Sequence, residues 1–552
     1  MADNFKPTDY PDVLVPVNGT NRYIRSIKSG STTLWIKKWD LTVNAGTGGS
    51  ITGGVSGKVV DGSSLSLTAT PSSGYKFDRW EFSKSLPQKY KNNDSSATEK
   101  STITPNGNNL NLTVKEDIEV YAIFELALTP MWMMVNHEPV GTNADYTTKF
   151  DNKYSINNGS SWSTNHSIAM AEKICSLDRK FVKLTDDADL VYDTTSRLIY
   201  PTAADAPDGV VTEPLIEYLY AGQKNRKSLH AKPIYTEDGG KTWKACIVAD
   251  YTFRVSRDMI SIASGHDSEG NELWISGTKD HSDEDRGGTI YYSTDGITWN
   301  FGTYGDSRYD DGKARARRHR QDSTTHKWFD TYPVGRSIEW SGSHDSAAVG
   351  IDSGADICVI GDSTCNILWV SLNKGVHWTR YYCSIKDWLI ATKTGFVFTK
   401  TSTTIGYVSY QNLRTIKPED DVPDSVSGYN GIMKSVTVNT LKTGCCLGYS
   451  PVLDRLVVQR NDGVMISIVN PTDETMTNGT WTEGTDIPYG VVKIEWGNGI
   501  FMAITKLVTS GASYNQSPSH TFISRDGITW TQVTDPGVGA VDLAYAEVNT
   551  VI

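Results

Sequence analysis

Hydrophobic and polar residues alternate with a period of two along much of this chain. In "GSSLSLTATP" the apolar positions Leu65, Leu67 and Ala69 are separated by Ser and Thr, and Val120, Ala122 and Phe124 recur in the same way within "IEVYAIFE". That is the period of a strand with one buried face. Shorter apolar runs, "LIEYLYAG" before Trp243, "NELWISG" before Trp299, "ICVIG" before Trp378 and "GIFMAIT" before Trp530, have the length and composition of more deeply buried strands. "RYIRSIKSGSTTLWIKKW", Arg22 to Trp39, predicts a hairpin turning at Ser29, Gly30 and Ser31. The pattern divides the chain into a terminal hairpin and tether over 1–39, a small β domain over 40–126, and a long series of short strands over 127–552. The fold class expected is all-β.

One turn recurs through the long series. "YTEDGGKTW" contains Thr236, Asp238, Gly240 and Trp243; "YSTDGITW" contains Ser293, Asp295, Gly296 and Trp299; "ISRDGITW" contains Ser524, Asp526, Gly527 and Trp530. In "YSINNGSSW" (Asn157, Gly159, Trp162) and "VSLNKGVHW" (Asn373, Gly375, Trp378) Asn replaces Asp, and "NPTDETMTNGTW", ending at Trp481, is a weaker copy still. The residue types have physical reasons. An Asp or Asn oxygen accepts N–H groups of its own turn, and Gly takes the positive φ of a tight hairpin. The Ser or Thr two places earlier ends the incoming strand and bonds locally. The Trp opens the outgoing strand with a large surface to bury. Repetition of this kind marks an architecture built of similar units. The gap from Trp378 to Trp481 is wide enough for two units, and the strand-like residues between Lys386 and Ile416 supply one without the turn.

Composition agrees with many short strands. The 552 residues include 48 Gly, 27 Tyr and 16 Trp, a mixture that favours turns and strands over long helices. A net charge of −11 argues against a general nucleic-acid binder, because phosphate backbones are drawn to basic faces. The local exception, "KARARRHR" at Lys313 to Arg320, has no aromatics interleaved with its charges and reads as a protein-contact or solvated loop. The seven cysteines are scattered and mostly within apolar runs, so they read as buried thiols. The N-terminal "MADNFKPTDYPDVLVP" lacks a basic start followed by an apolar stretch, so export by a signal peptide is not expected, and no run is long enough to insert in a membrane.

Three resemblances sharpen these expectations. The segment "LTATPSSGYKFDRW" with its closing "VYAIF" strand is similar to the internalin-B-type repeat, which implies a spacer or adhesion module with Tyr75, Phe77, Trp80 and Phe124 in its core. The recurrent turn resembles the Asp-box, or bacterial neuraminidase repeat, of sialidase-like β-propellers. It implies a propeller of seven blades, with six or eight as alternatives, whose last strand "AVDLAYAEVNTVI" completes the blade that starts near Leu128. The hairpin phrase "IRSIKSGSTTLW" resembles a terminal element of phage tail and structural proteins.

Together they imply a virion component of a phage, tail-associated, held to other virion proteins through residues 1–39 and serving host attachment. Its partner would be a host-surface glycan or protein, or another virion protein, with homo-oligomerisation left open. No cofactor and no metal are expected. The alternatives are a sialidase-like glycoside hydrolase and a purely architectural virion protein. Hydrolysis would need an arginine cluster, a Tyr–Glu nucleophile pair and an acid/base Asp. The nearest arginine phrase is "FRVS" at Phe253 to Ser256, which lacks the Pro of the family's "FRIP", so catalysis is not expected. "HDSEGNE" (His266 to Glu272) and "DHSDEDRGG" (Asp280 to Gly288) are rich enough in carboxylates for a calcium loop but lack EF-hand spacing, and read as solvated loops.

Overall fold

The computed structural model describes residues 14–17, 20–23, 26–82, 102–138, 152–165, 171, 173–185, 190–218, 229–249, 259–278, 290–304, 318–321, 328–331, 346–351, 356–362, 367–382, 385, 388–401, 404–415, 434–437, 446–460, 462–505, 508–510, 515–517, 519–537 and 539–549. It divides into two compact units, residues 1–128 with 549–552, and Thr129–Val548. Among the described residues the only helical pieces are a 3-10 turn at Ala203–Asp205 and short helices at Tyr410–Leu413 and Asp473–Asn478. The chain is all-β. The phrases "FRVS", "DHSDEDRGG" and residues 313–317 of the basic run lie outside the described residues, as do Cys365, Cys383 and Cys445.

The first unit begins with two hairpins, Leu14–Val17 with Thr20–Tyr23 and Ser26–Ser29 with Thr32–Ile36. Two four-stranded sheets follow. One runs Thr102–Asn106, Asn109–Val114, Ser63–Pro71, Gly49–Thr52; the other runs Gly57–Val60, Lys38–Ala45, Ile118–Leu126, Tyr75–Phe82. Within the second sheet Lys38–Ala45 and Ile118–Leu126 pair in parallel, which brings the two ends of the domain together. The alternation read in Ser63–Pro71 and Ile118–Leu126 is the alternation of burial. The aromatic core expected from the resemblance is the smaller of two clusters. Tyr75, Phe77 and Trp80 gather at Ala69, Ala122 and Phe124, whereas the larger core is aliphatic: Leu41, Leu67, Leu110, Leu112, Val114, Ile118 and Val120. Aliphatic residues fill the space between two sheets without the polar atoms that keep indole and phenol rings near the rim.

The second unit is built of sheets with four antiparallel strands, two of which gain a fifth, parallel strand at the outer edge, Ile247–Val248 beside Thr298–Phe301 and Thr303–Tyr304 beside His377–Tyr382. Their innermost strands are, in chain order, Lys173–Leu177, Met259–His266, Ser346–Val349, Leu389–Ala391, Leu447–Ser450, Val491–Gly497 and Gly539–Val548. Each lies beside the next, and Gly539–Val548 lies beside Lys173–Leu177, so the ring is closed. Among the described residues this makes seven sheets. The sheet containing Gly539–Val548 takes its other strands from the beginning of the unit, Thr129–Glu138, Asn152–Ser155 and Ser163–Asn165. We call it the first sheet and number the others in chain order. Adjacent Thr129 and Val548 mark the end of the ring at which the chain enters and leaves this unit. A closed ring of radially stacked antiparallel sheets is the β-propeller type of fold, and it leaves no inner edge to pair with another chain.

Two strand assignments differ from the sequence reading. The second sheet does not use "LIEYLYAG"; Ile216–Tyr218 pairs with Leu229–Ala231 in a separate ribbon, and the sheet uses Lys180–Leu184, paired with Lys173–Leu177 and Ile234–Thr236. The two lysines of "KFVKL" disguise a strand buried along its whole length. Lys180 is paired to Glu272, and Lys183 lies with its ammonium nitrogen 4.4 Å from the Trp243 ring centroid. Between Trp378 and Asp486 the structure holds two sheets, the fifth with strands Leu389–Ala391, Gly395–Thr401, Thr404–Ser409 and Lys434–Thr437, and the sixth with strands Leu447–Ser450, Arg455–Gln459, Val464–Val469 and, just after Trp481, Thr482–Asp486. Neither carries the recurrent turn. Ser409 at the end of a third strand accepts the Asn412 N–H and caps a short helix, and Thr472 does the same for Asp473–Asn478 through a capping box.

Candidate functional site

The recurrent turns join third to fourth strands and come in two lengths. In the longer form Thr236 Oγ1 donates to Asp238 Oδ1 (2.7 Å) and accepts the Gly240 N–H (2.9 Å), while the Asp238 carboxylate accepts the Thr242 N–H (3.0 Å). Ser155 with Asn157 and Gly159, and Ser371 with Asn373 and Gly375, repeat these bonds within 0.3 Å. A single acceptor oxygen is needed at the central position, which is why Asn serves as well as Asp. In the shorter form Asp295 Oδ1 accepts the N–H groups of Ile297 (2.7 Å) and Thr298 (2.6 Å), and Asp526 Oδ1 those of Ile528 and Thr529 (both 2.8 Å). Burial alone would push the Asp295 and Asp526 carboxyls up; the N–H donors outweigh it and hold both below the ordinary carboxylate range. The longer turn needs two successive left-handed residues, Asn158–Gly159, Gly239–Gly240 and Lys374–Gly375, and the shorter needs one, Gly296 or Gly527.

Each turn sits on the preceding sheet. A Cβ on Gly375 (φ +78°) would stand 2.9 Å from Tyr292 Cβ of the third sheet, and one on Gly527 2.9 Å from Val457 of the sixth. A Cβ on Gly159 would meet Val533, which follows the seventh sheet. The tryptophans that follow are buried at positions 243, 299, 378 and 530, and half-buried at 162, where the indole N–H reaches the Thr534 carbonyl (2.9 Å). The turns are therefore fasteners whose side-chain acceptors are occupied by their own backbone. Gly375→Val is expected to cost about 1–3 kcal/mol of second-unit stability, from a β-branched residue at positive φ and overlap with Tyr292; a denaturant midpoint equal to that of the unaltered chain would contradict the docking.

The carboxylate-rich stretch at His266–Glu272 is exposed for most of its length, as expected of a solvated loop, but its one buried residue, Asp267, is also a fastener. Asp267 has 5% of its side chain exposed and accepts Lys374 Nζ (2.8 Å), the N–H groups of Glu269 (2.9 Å) and Asn271 (2.8 Å), and the Asn271 amide. No group of three or more metal-ligating side chains exists among the described residues. Burial raises Asp267, but the Lys374 bond and the backbone donors prevail and hold it far below the usual range. A carboxyl depressed on folding contributes stability above its unfolded pKa of ~4 that fades as the pH falls below it. Lys374→Met should therefore lower the melting temperature at pH 7, and because Asp267 of the folded chain stays ionised well below the ordinary carboxylate range, the deficit should persist at about pH 4. A deficit that has vanished by about pH 4 would show that the pair does not carry the effect.

Fasteners of this kind define one end of the ring. Lys374 of the fourth sheet reaches Asp267 of the third, Asn498 of the seventh reaches Asn158 of the first (3.1 Å), and Lys180 of the second bonds the Asp295 carbonyl of the third. All join either recurrent turns or first-to-second-strand turns, and the chain enters at the same end, at Thr129. Second-to-third-strand connections and sheet-to-sheet connections leave from the opposite end. Among the described residues the three two-stranded ribbons of this unit belong to such connections, Ile216–Tyr218 with Leu229–Ala231, Arg318–Gln321 with Trp328–Thr331, and Val508–Ser510 with Asn515–Ser517.

The ring's axis carries a third group of polar residues, contributed by inner strands. Lys493 and Glu495 project from the seventh sheet, Asp542 from the first, and Cys175 from the second, with Cys446 just ahead of the sixth. Lys493 Nζ is 3.4 Å from both Glu495 and Asp542, and Asp542 also accepts the N–H of Ile174 (3.0 Å). Burial would lower Lys493; the two carboxylates more than offset it and keep the ammonium charged, while burial pushes Glu495 up. Burial likewise pushes the Cys175 thiol up to about 11 and the Cys446 thiol up to about 12, which favours the protonated thiol at neutral pH. Sequence reading missed this group because its members come from four different sheets, which only the closed ring brings together.

Comparison with known proteins adds one family. Residues 39–127 match the family model of the divergent InlB B-repeat domain. No curated protein matches the chain. Among solved structures, the chain is similar in fold to AztD of Citrobacter koseri (10% identity over 76% of this chain and 98% of that one, TM-score 0.36) and to YCF48 from Cyanidioschyzon merolae (12% identity, 76% and 95%, TM-score 0.32). A chain of a nidogen/laminin complex is similar over 57% of this chain and 94% of its own, at 7% identity and TM-score 0.31. No residue role is carried over from them.

Proposed function

We propose that this chain is a non-enzymatic phage virion component, tail-associated, in which an Asp-box propeller of seven blades is carried behind an InlB-type spacer and presented for attachment to a host-surface glycan or protein. The observation that supports this reading most is the polarity of the second unit. Among the described residues, one end receives the chain and carries the fasteners, whereas the two-stranded ribbons leave from the other. Such a design holds a rigid ring by one end and displays variable connections at the other, the usual division between scaffold and binding loops. The internal use of the Asp-box carboxylates and the protonated state of the axial thiols favour binding over catalysis.

Electron microscopy of purified particles carrying an antibody to the second unit tests the placement: label projecting from the tail is expected, and label absent from particles would overturn the virion reading. Incubation with sialosides and bacterial polysaccharides is expected to give no products; turnover would replace attachment with glycoside hydrolysis. Removal of residues 1–39 is expected to abolish incorporation into particles while leaving the second unit folded.

A further inference from the structure

At the ribbon-bearing end four side chains from three connections converge. Tyr489 lies between the sixth and seventh sheets, His520 immediately precedes the third strand of the seventh, Gln532 ends the fourth strand of the seventh, and Asp535 lies on the way from there to the first. The Tyr489 and His520 rings stack with centroids 4.3 Å apart at 33°. His520 Nδ1 is 2.9 Å from Asp535 Oδ2, and Gln532 Nε2 is 3.2 Å from both His520 Nδ1 and Asp535 Oδ1. The backbone beneath is pinned. Buried Gln459 donates to the carbonyls of Ile487 (2.8 Å) and Tyr489 (2.7 Å) and accepts the Val491 N–H (2.9 Å), while His520 and Thr505 exchange two bonds. His520 and Asp535 are only partly covered, and Gln532 is exposed.

We propose that this cluster is a subsite for a neutral pyranose unit of a surface glycan; the inference rests on the attachment reading above and places its contact. Stacked flat rings offer an apolar face for the C–H side of a sugar ring. A carboxylate and a primary amide each present two in-plane polar groups able to span neighbouring hydroxyls, one as acceptor only and the other as donor and acceptor. Few polar groups set beside an aromatic surface, on rigid backbone, is the general composition of a small-ligand site. Asp535, in a chain of net charge −11, disfavours an anionic sugar.

Titration of the full chain with neutral gluco-, galacto- and manno-oligosaccharides, beside sialyllactose, tests the assignment. One neutral series should bind, and His520→Ala and Gln532→Ala should each weaken it at least about tenfold, the loss of one good hydrogen bond or contact, with the melting temperature unchanged for the exposed Gln532→Ala. Arg525→Ala, at the opposite end, should bind like the unaltered chain. Absence of binding by every neutral series, or undiminished binding by Gln532→Ala, an exposed position that does not threaten folding, would overturn the subsite. Adhesion of labelled chain to a panel of Gram-negative and Gram-positive cells separates the two readings. Cells bound equally by both variants overturn the subsite and leave attachment standing, whereas a chain that binds no cells overturns attachment itself.

Discussion

A chain ending at residue 538 will fail to fold its second unit, giving broad, non-cooperative unfolding and association in solution. The missing strand Gly539–Val548 is the inner strand of the first sheet and pairs with Thr129–Glu138 along nearly its whole length. It buries Ala540, Leu543, Ala544, Ala546 and Val548, and these residues belong to two separate core clusters, one toward the second sheet and one toward the seventh. Its loss thus uncovers two sheet interfaces at once and leaves Thr129–Glu138 as a long apolar edge, the kind of surface that recruits other chains. A sharp denaturant transition and a monomeric elution volume for the truncated chain would refute the closure. Because the strand is local to the last residues, the experiment needs no substitution within the ring.

The second large effect is expected at the axis. Asp542→Ala should destabilise the unit by about 3–5 kcal/mol, the usual consequence of removing one partner of a buried ion pair. Asp542 is almost fully covered and ties three sheets, through its own strand, Lys493 and the Ile174 N–H. Glu495 does not substitute for it, because its side chain is the more exposed and it is Asp542 that accepts the Ile174 N–H. The double change Asp542→Leu with Lys493→Met should recover much of the loss, since an apolar pair of similar volume avoids the desolvation of two charges. Equal stability of the single and double variants in urea would show that the charges are not coupled.

Legibility in the sequence followed the range of the interactions. The strands of the first unit were readable because one face of each is buried and the other wet, so period two survives in the letters. The recurrent turns were readable because all their bonds lie within seven residues, from Ser293 to Trp299 for instance. Their docking on the preceding sheet was not, because Tyr292 and Val457 carry no mark of the glycine they receive. Lys180–Leu184 was hidden by two lysines whose partners, Glu272 and the Trp243 ring, lie elsewhere. "NPTDETMTNGTW" resembled the turn in composition, but Thr472 and Thr475 satisfy each other's backbone first and commit the segment to a helix. The cluster of Tyr489, His520, Gln532 and Asp535 left no local signal at all; only the ring brings those connections together.

The position of Thr129 beside Val548 has a mechanical meaning. A pull applied between these two neighbouring points would open the first sheet one hydrogen bond at a time, as a zipper opens. A pull between Thr129 and a ligand at the far end instead loads Thr129–Glu138 along its length. Backbone bonds to its two neighbours, Asn152–Ser155 and Gly539–Val548, run across that direction and share the tension together. If the attachment proposed above holds, a ring pulled by Thr129 and by a ligand at the opposite end bears force in shear, with many hydrogen bonds loaded at once.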